Sequence, residues 1–205
     1  MMISSIITES QWGVTVENEY LQQESDTLVI LFPGKGYYIC APYLYYAYSA
    51  ASECGYDVLA IEYGFQKANK DFGLSEINDL IKETKDTIQK CLNSKTYKNI
   101  IFIGKSLGAY LSTAMIEDFK QYQMKHICLT PTKMALDGIK KADCFVVVGN
   151  EDPNISQEFI TEITELDNTK IKIIDGVGHD LNKTDYEESI LVLKDVMKDI
   201  VSFIR

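Results

Sequence analysis

The stretch NIIFIGKSLGAYL, residues 99–111, decides which fold this chain adopts. Its first half is a short apolar run rich in β-branched residues, which is typical of a buried strand, and its end begins a helical pattern. Between them stands the turn GKSLG, residues 104–108. This turn admits two interpretations: the end of a phosphate-binding loop, or a sharp strand-to-helix turn that presents Ser106 as a nucleophile.

The phosphate-loop interpretation requires the pattern Gly-x-x-x-x-Gly-Lys-Ser/Thr, whose flexible residues expose successive backbone N–H groups to the phosphates. Here Asn99 stands at the first glycine position. The four residues that follow it, 100–103, are the apolar body of a strand and could not wrap a phosphate. The sequence therefore disfavours a nucleotide-binding protein.

The nucleophile interpretation needs small residues two positions before and two after the serine, because the turn brings neighbouring backbones close together. Gly104 and Gly108 meet that need. Ser106 would also lie at the N-terminus of a helix, whose free N–H groups favour developing negative charge. A serine that merely caps the helix is the competing interpretation of this turn taken alone.

A serine nucleophile needs a base to take its proton, and the chain has only two histidines. His126 opens the apolar run HICLT, at the end away from the expected site, so we expect a structural or surface role. His179 lies in DGVGHDLN, a glycine-containing loop directly after the last predicted strand. His179 is therefore predicted to be the base.

The acid that orients the base should follow the preceding strand, in the segment VVVGNEDPNIS. This segment offers Glu151 and Asp152, and we choose Asp152, with Glu151 as the alternative. Either could instead be a solvated turn carboxylate or a cap of a helix expected to start near Ile155. The chain order Ser106, Asp152, His179 is the order that folds with this kind of nucleophile turn use.

Backbone N–H groups should stabilise the oxyanion of such a reaction. One donor is predicted to be Leu107, the residue after the nucleophile. The second should come from LFPGKGYY, the turn after the first central strand, where Lys35 or Gly36 would donate and Lys35 is slightly favoured. The residues that follow, Tyr37 and Tyr38, are near enough to wall a substrate pocket.

Apolar runs bounded by turn residues alternate along the chain with segments of helical period. Near-continuous hydrophobicity suits a parallel sheet covered on both faces. The alternation predicts a doubly wound, mostly parallel sheet in a three-layer α/β/α sandwich, formed by a single domain over residues 1–205. Residues 12–23 alternate and are expected to add an antiparallel edge strand or hairpin. Strands are predicted at 27–32, 57–63, 99–104, 126–130, 144–149 and 171–175, and helices at 42–55, 74–92, 106–122 and 186–204.

Charge and composition narrow the classes of partner. The formal net charge is −10, which argues against a nucleic-acid or anionic-membrane partner, because both are bound by clustered Lys and Arg. The start, MMISSIITES, lacks the basic and apolar regions of a secretory leader, and no apolar stretch reaches membrane-spanning length. The chain is therefore expected to be cytoplasmic and without a membrane span.

Four motifs together resemble the α/β-hydrolase superfamily, over almost the whole chain from Thr27. FPGKG is similar to its oxyanion turn, GKSLG to its nucleophile elbow, GNEDP to its acid loop and GVGHDL to its histidine loop. Pro33 departs from the pattern, because many members carry a histidine there. Residues 131–144 are too few for the cap domain that many relatives insert, so the resemblance is to small, lidless serine hydrolases.

The resemblance implies an enzyme that cleaves an ester, thioester or similar acyl bond of a small molecule through an acyl-enzyme, with no metal or organic cofactor. An acyltransferase or a peptidase would use the same residues, and a catalytically silent binding protein is the alternative from another class. An exposed apolar patch around an open site would support a homodimer. Lys35 and Lys105 flank the site in sequence, and either attract an anionic group or, as is commoner for lysine, are solvated.

Overall fold

One eight-stranded sheet organises the chain, whose residues 1–205 are all described by a computed structural model. The strands are β1 (Met2–Glu9), β2 (Thr15–Gln22), β3 (Thr27–Phe32), β4 (Asp57–Ala60), β5 (Asn99–Lys105), β6 (Gln123–Leu129), β7 (Cys144–Gly149) and β8 (Thr169–Ile174). Their order across the sheet is β1-β2-β4-β3-β5-β6-β7-β8. Strands β3 to β8 run parallel, and β2 is antiparallel to both of its neighbours, β1 and β4. The predicted mostly parallel sheet is confirmed.

Seven α-helices cover the two faces of this sheet. They are α1 (Pro42–Glu53), α2 (Gly64–Lys67), α3 (Ile77–Ser94), α4 (Leu107–Ala114), α5 (Leu136–Ile139), α6 (Gln157–Thr164) and α7 (Tyr186–Ile204). Helices α1 and α7 pack on one face, and α3, α4, α5 and α6 on the other. The three-layer sandwich is therefore also confirmed.

The central strand β3 shows why its sequence is continuously apolar. All six of its residues are buried. Leu28 and Ile30 lie in the core formed with α3 and α4, whereas Val29 and Leu31 lie in the core formed with α1 and α7. Because successive side chains of a strand point to opposite faces, a strand covered on both sides must be apolar at every position.

The connection between β6 and β7 decides whether a cap covers the site. Residues 130–143 form only a 3₁₀ turn and the four-residue helix α5. The carboxyl ends of the parallel strands are thus left without a cap domain, as the sequence predicted. No helix combines the length and the apolar character needed to cross a membrane.

The structure differs from the predicted elements in several places. Strand β1 was not predicted; it is an exposed edge strand, in which two adjacent serines interrupt the apolar alternation. Helix α4 ends at Ala114 instead of residue 122. Thr113 Oγ1 donates to the carbonyl oxygen of Ala109 at 2.9 Å, a local bond that competes with helical geometry, and a 3₁₀ turn follows at Ile116–Asp118. The short helices α2 and α5 were also missed, and β4 stops at Ala60 before α2 begins. The helix expected to start near Ile155 is α6, which begins at Gln157.

Candidate active site

The turn between β5 and α4 holds its central residue in a strained backbone conformation. Ser106 has φ 54° and ψ −109°, a region that non-glycine residues rarely occupy. A Cβ added at Gly104 would lie 2.5 Å from the backbone nitrogen of Ala109, and one at Gly108 would lie 2.2 Å from the carbonyl oxygen of Phe32. Only glycine fits at either position, which accounts for the spacing GKSLG.

Ser106 begins a chain of two short hydrogen bonds. Its Oγ lies 2.8 Å from Nε2 of His179, and Nδ1 of His179 lies 2.6 Å from Oδ2 of Asp152. Because a carboxylate can only accept, Nδ1 carries the proton and Nε2 is free to accept the proton of Ser106. The structure thus brings together the three side chains that the sequence proposed as nucleophile, base and acid.

The carboxyl group of Asp152 is fixed on both oxygens. Its side chain is fully buried, and Oδ1 accepts hydrogen bonds from the backbone and the side chain of Asn154, at 2.8 and 3.1 Å. Glu151, the alternative acid, is exposed and uses its backbone N–H to bond the carbonyl oxygen of Val177 at 3.1 Å. Of the two carboxylates, only Asp152 reaches the imidazole.

The loops that carry Asp152 and His179 are packed against each other. Asn150 donates from its backbone N–H to the carbonyl oxygen of Ile174, and its side-chain oxygen accepts from the N–H of Gly176 at 2.8 Å. A Cβ at Gly149 would lie only 2.2 Å from the carbonyl oxygen of Val177. These contacts set the distance between the two loops.

Backbone N–H groups without a partner lie next to Ser106. Those of Leu107, Lys35 and Gly36 donate to no group of the protein. The turn that holds Lys35 and Gly36 approaches the nucleophile closely, since a Cβ on Gly34 would be 3.7 Å from the Cβ of Ser106. Unpaired donors at such a point are suited to bind an anionic oxygen.

Three carbonyl groups of this turn, in contrast, accept hydrogen bonds. The hydroxyl of Tyr63 donates to the carbonyl oxygen of Pro33 at 2.9 Å. Nε2 of Gln66 donates to the carbonyl oxygens of Gly34 and Lys35, at 2.8 and 3.0 Å. Sequence analysis missed Tyr63 and Gln66, because nothing in their local pattern shows that the loop after β4 folds back onto this turn.

Lys105 contradicts the expectation that it is solvated. It is 1% exposed, and burial lowers the pKa of its ammonium group to about 8. Its Nζ donates to Oγ1 of Thr130 and, at 2.7 Å, to the backbone carbonyl oxygen of His179. Lys35 is exposed but also engaged, because its Nζ donates to the carbonyl oxygen of Phe72 at 2.8 Å. Lys105 therefore lies beneath the site and cannot contact a substrate.

The two tyrosines proposed for the substrate pocket have different surroundings. The hydroxyl of Tyr37 accepts the N–H of Tyr43 in the first turn of α1 at 2.9 Å, and burial raises the pKa of Tyr37 to about 12. Tyr38 is 52% exposed. It lines a cavity of about 590 Å³ beside the turn of Lys35 and Gly36, together with Pro33, Ile39 and Tyr45. Tyr38 is accessible from this cavity, whereas Tyr37 is packed into the fold.

The second histidine has no part in this arrangement. His126 is fully buried in β6, and neither ring nitrogen has a hydrogen-bond partner. Its ring packs edge-on against Phe102 at 5.2 Å between centroids. Burial lowers the pKa of His126 to about 3, so the ring is neutral. Of the two roles expected for it, the surface role is wrong.

Comparisons with known proteins give likenesses at the level of structure. No protein-family model and no curated protein matches the chain. An alpha-beta serine hydrolase homologue from Coxiella burnetii is 15% identical with a TM-score of 0.72, over 98% of this chain and 97% of that one. An esterase from Pyrococcus furiosus is 15% identical with a TM-score of 0.74, over 99% and 91%. A Xanthomonas campestris serine hydrolase without a lid is 12% identical with a TM-score of 0.69, over 98% and 94%. Each likeness extends over nearly the whole of both chains.

Proposed function

We propose that this chain, which has the α/β-hydrolase fold without a cap domain, is a serine hydrolase that cleaves an ester, thioester or similarly activated acyl bond of a small molecule. One observation carries the proposal: Oγ of Ser106 lies 2.8 Å from an imidazole whose other nitrogen lies 2.6 Å from the buried carboxylate of Asp152. The likeness to an esterase and to serine hydrolases of the same fold supports the same class of reaction.

In the first half of the reaction, Ser106 Oγ attacks the carbonyl carbon of the substrate while Nε2 of His179 takes its proton. Asp152 accepts the hydrogen bond of Nδ1–H and stabilises the imidazolium that forms. The oxygen of the tetrahedral intermediate accepts hydrogen bonds from Leu107 N–H and from Lys35 or Gly36 N–H. The bond to the leaving group then breaks, and the leaving group receives the proton from Nε2.

In the second half, water attacks the carbonyl carbon of the acyl-enzyme, and His179 again takes the proton. The intermediate collapses, the acid product leaves, and Ser106 recovers its proton from Nε2. An open site without a cap admits water directly. An alcohol or amine in place of that water would make the same site an acyltransferase.

The first prediction concerns the reactivity of Ser106. A fluorophosphonate probe should label the protein at Ser106 alone, because an activated serine oxygen attacks phosphorus as it attacks carbonyl carbon. Ser106→Ala should abolish labelling, and His179→Ala should slow it by about a thousandfold or more. Intact and tandem mass spectrometry measure the rate and the site.

The control is His126→Leu, which alters the only other histidine and should be labelled at the wild-type rate. Labelling at Ser106 that did not depend on His179 would contradict the assignment of the base. Folded wild-type protein that took up no probe would contradict the proposed function and favour a binding protein without catalysis.

A further inference from the structure

Lys105 is the only buried cationic side chain of the protein, and the reaction described above does not use it. Lysine is rarely buried, because removing an ammonium group from water costs free energy unless the charge is compensated. No carboxylate lies within ion-pair distance of its Nζ. A buried charge without a direct counter-ion requires an explanation from its neighbours.

Those neighbours come from three different loops at the carboxyl ends of the strands. Nζ donates to the hydroxyl of Thr130 after β6 and to the backbone carbonyl oxygen of His179 after β8. The ring of Tyr37, after β3, lies 5.2 Å from Nζ, within cation–π distance. Thr130 has φ 44°, a strained value for a β-branched residue, so its hydroxyl is held in place at a cost.

The charge of Lys105 is favoured by two more distant groups. The carboxylates of Asp152 and Asp180 raise the pKa of Lys105 and partly offset the effect of burial. The resulting value of about 8 leaves the ammonium group charged at neutral pH. A charged donor binds a carbonyl oxygen more strongly than a neutral one.

Lys105 is linked to both the nucleophile and the base. It is the last residue of β5 and precedes Ser106 in the chain, and its side chain donates to the backbone carbonyl oxygen of His179. A single residue therefore connects the strand of the nucleophile to the base. Further ties hold this loop on either side of His179: the N–H of Glu151 donates to the carbonyl oxygen of Val177 at 3.1 Å, and the hydroxyl of Tyr43 donates to that of Leu181 at 3.1 Å.

We propose that Lys105 is a positioning residue, whose ammonium group fixes the backbone of His179 so that the imidazole bridges Ser106 and Asp152. This rests on the proposed function, in which that bridge activates the serine. Lys105 contacts neither substrate nor reacting atoms; it acts through His179.

The test uses the imidazole proton itself. The Nδ1–H of His179, bonded to Asp152 at 2.6 Å, should give a proton resonance at very low field, which His179→Ala should remove. His126 has no hydrogen-bond partner and should give none. Lys105→Met keeps an unbranched side chain but removes the donor and the charge. We expect this variant to lose or broaden the resonance and to react with fluorophosphonate about 10 to 100 times more slowly than wild type, a loss of the size caused by removing groups that orient metal-binding histidines.

Lys125→Met is the matched control. Lys125 also donates to a backbone carbonyl oxygen, that of Phe203 at 2.8 Å, and lies over an aromatic ring, but at the opposite end of the sheet. Its loss should change neither the resonance nor the labelling rate. Thermal unfolding of both variants establishes that they are folded.

An unchanged resonance and an unchanged labelling rate in folded Lys105→Met would overturn the proposal. If that variant does not fold, the same two measurements are made on Thr130→Val, which removes one acceptor of the ammonium group without removing a charge. The same unchanged readouts in Thr130→Val would overturn it as well. Absence of labelling in wild type, with the resonance present, would refute the proposed function instead, so the two failures are distinguishable.

Discussion

Two adjacent carboxylates, Glu151 and Asp152, show how much the surroundings of a residue decide its role. The side chain of Asp152 is fully buried and reaches Nδ1 of His179, whereas Glu151 is exposed to water. A buried carboxylate that accepts an N–H bond holds the ring in one tautomer and stabilises its protonated form. Exposure leaves Glu151 without such an effect.

If the proposed hydrolase activity is correct, Asp152→Asn should lower kcat/KM for an activated ester by about a thousandfold to ten-thousandfold, since an amide can donate to Nδ1 and favour the wrong tautomer. Glu151→Gln, the neighbouring change of the same kind, should stay within about twofold of wild type. Steady-state kinetics with an activated ester measure both. Equal losses in the two variants would contradict the assignment of Asp152.

At the residue scale, the sequence could predict groups that follow a strand directly and could not predict groups that act across the fold. Ser106, Asp152 and His179 each stand in a loop after an apolar run, and such loops meet at one edge of a parallel sheet. Lys105 and Gln66 donate to backbone carbonyl oxygens of residues that are distant in the chain. Every residue has a carbonyl group, so the sequence does not indicate which of them will accept such a bond.

At the scale of the element, the strand–turn–helix unit of β5 and α4 depends on close backbone contacts. Gly108 lies against β3, where an added Cβ would meet the carbonyl oxygens of Phe32 and Pro33 at 2.2 and 2.6 Å. Both atoms belong to backbone that cannot rotate away. The turn that carries the proposed oxyanion donors begins at Pro33, so any shift there also disturbs the site.

Gly108→Ala should destabilise the protein by about 3 kcal/mol, the cost of overpacking at a rigid contact. Gly73→Ala is the matched control, because its Cβ would meet only side-chain atoms at 3.6 Å or more. That control should change the free energy of unfolding by less than about 0.5 kcal/mol. Urea denaturation measures both variants, and comparable losses would show that the contact at Gly108 relaxes easily.

Element prediction succeeded where burial on both faces forces a continuous apolar pattern, as in β3 and β7. It failed for β1, because most residues of that edge strand are exposed and have no pattern imposed by a core. It made α4 too long, because the apolar residues after Ala114 belong to a 3₁₀ turn and its flanks, not to the helix. Local periodicity does not distinguish the two.

At the scale of the whole molecule, stability should depend on pH through His126. The unfolded chain binds a proton at this residue below pH 6.5, whereas burial lowers its pKa in the folded protein to about 3. The stabilisation that comes from keeping His126 neutral is fully present above pH 6.5. As the pH falls from 6.5 to 3, the free energy of unfolding decreases by about 1.4 kcal/mol per pH unit. His126→Leu removes this dependence.

Between pH 7 and pH 5, His126 should lower the free energy of unfolding of the wild type by about 2 kcal/mol. We expect the loss in His126→Leu over the same range to be smaller by that amount. At pH 7 the variant should be at least as stable, because it also removes buried ring nitrogens without partners. Urea denaturation at the two pH values gives the comparison. Parallel losses in both proteins would mean that His126 takes up its proton equally in the folded state.

The layers and the strand direction of the whole molecule could be predicted because alternation of strands and helices restricts the topology. Chains that are only 12–15% identical to this one have a similar fold. The layers and the strand direction therefore depend little on which particular side chains are present. The position of β4 between β2 and β3 could not be predicted, since pairing across a sheet depends on contacts distant in sequence.

Strand β8, which precedes His179, is an edge strand with β7 as its only neighbour, and none of its residues is fully buried. Edge elements of this kind can open locally while the rest of the molecule remains folded. If β8 detached, the imidazole would leave and the serine turn between β5 and α4 would stay intact. Warming would then abolish the reactivity of Ser106 below the melting temperature of the protein, and cooling would restore that reactivity without refolding.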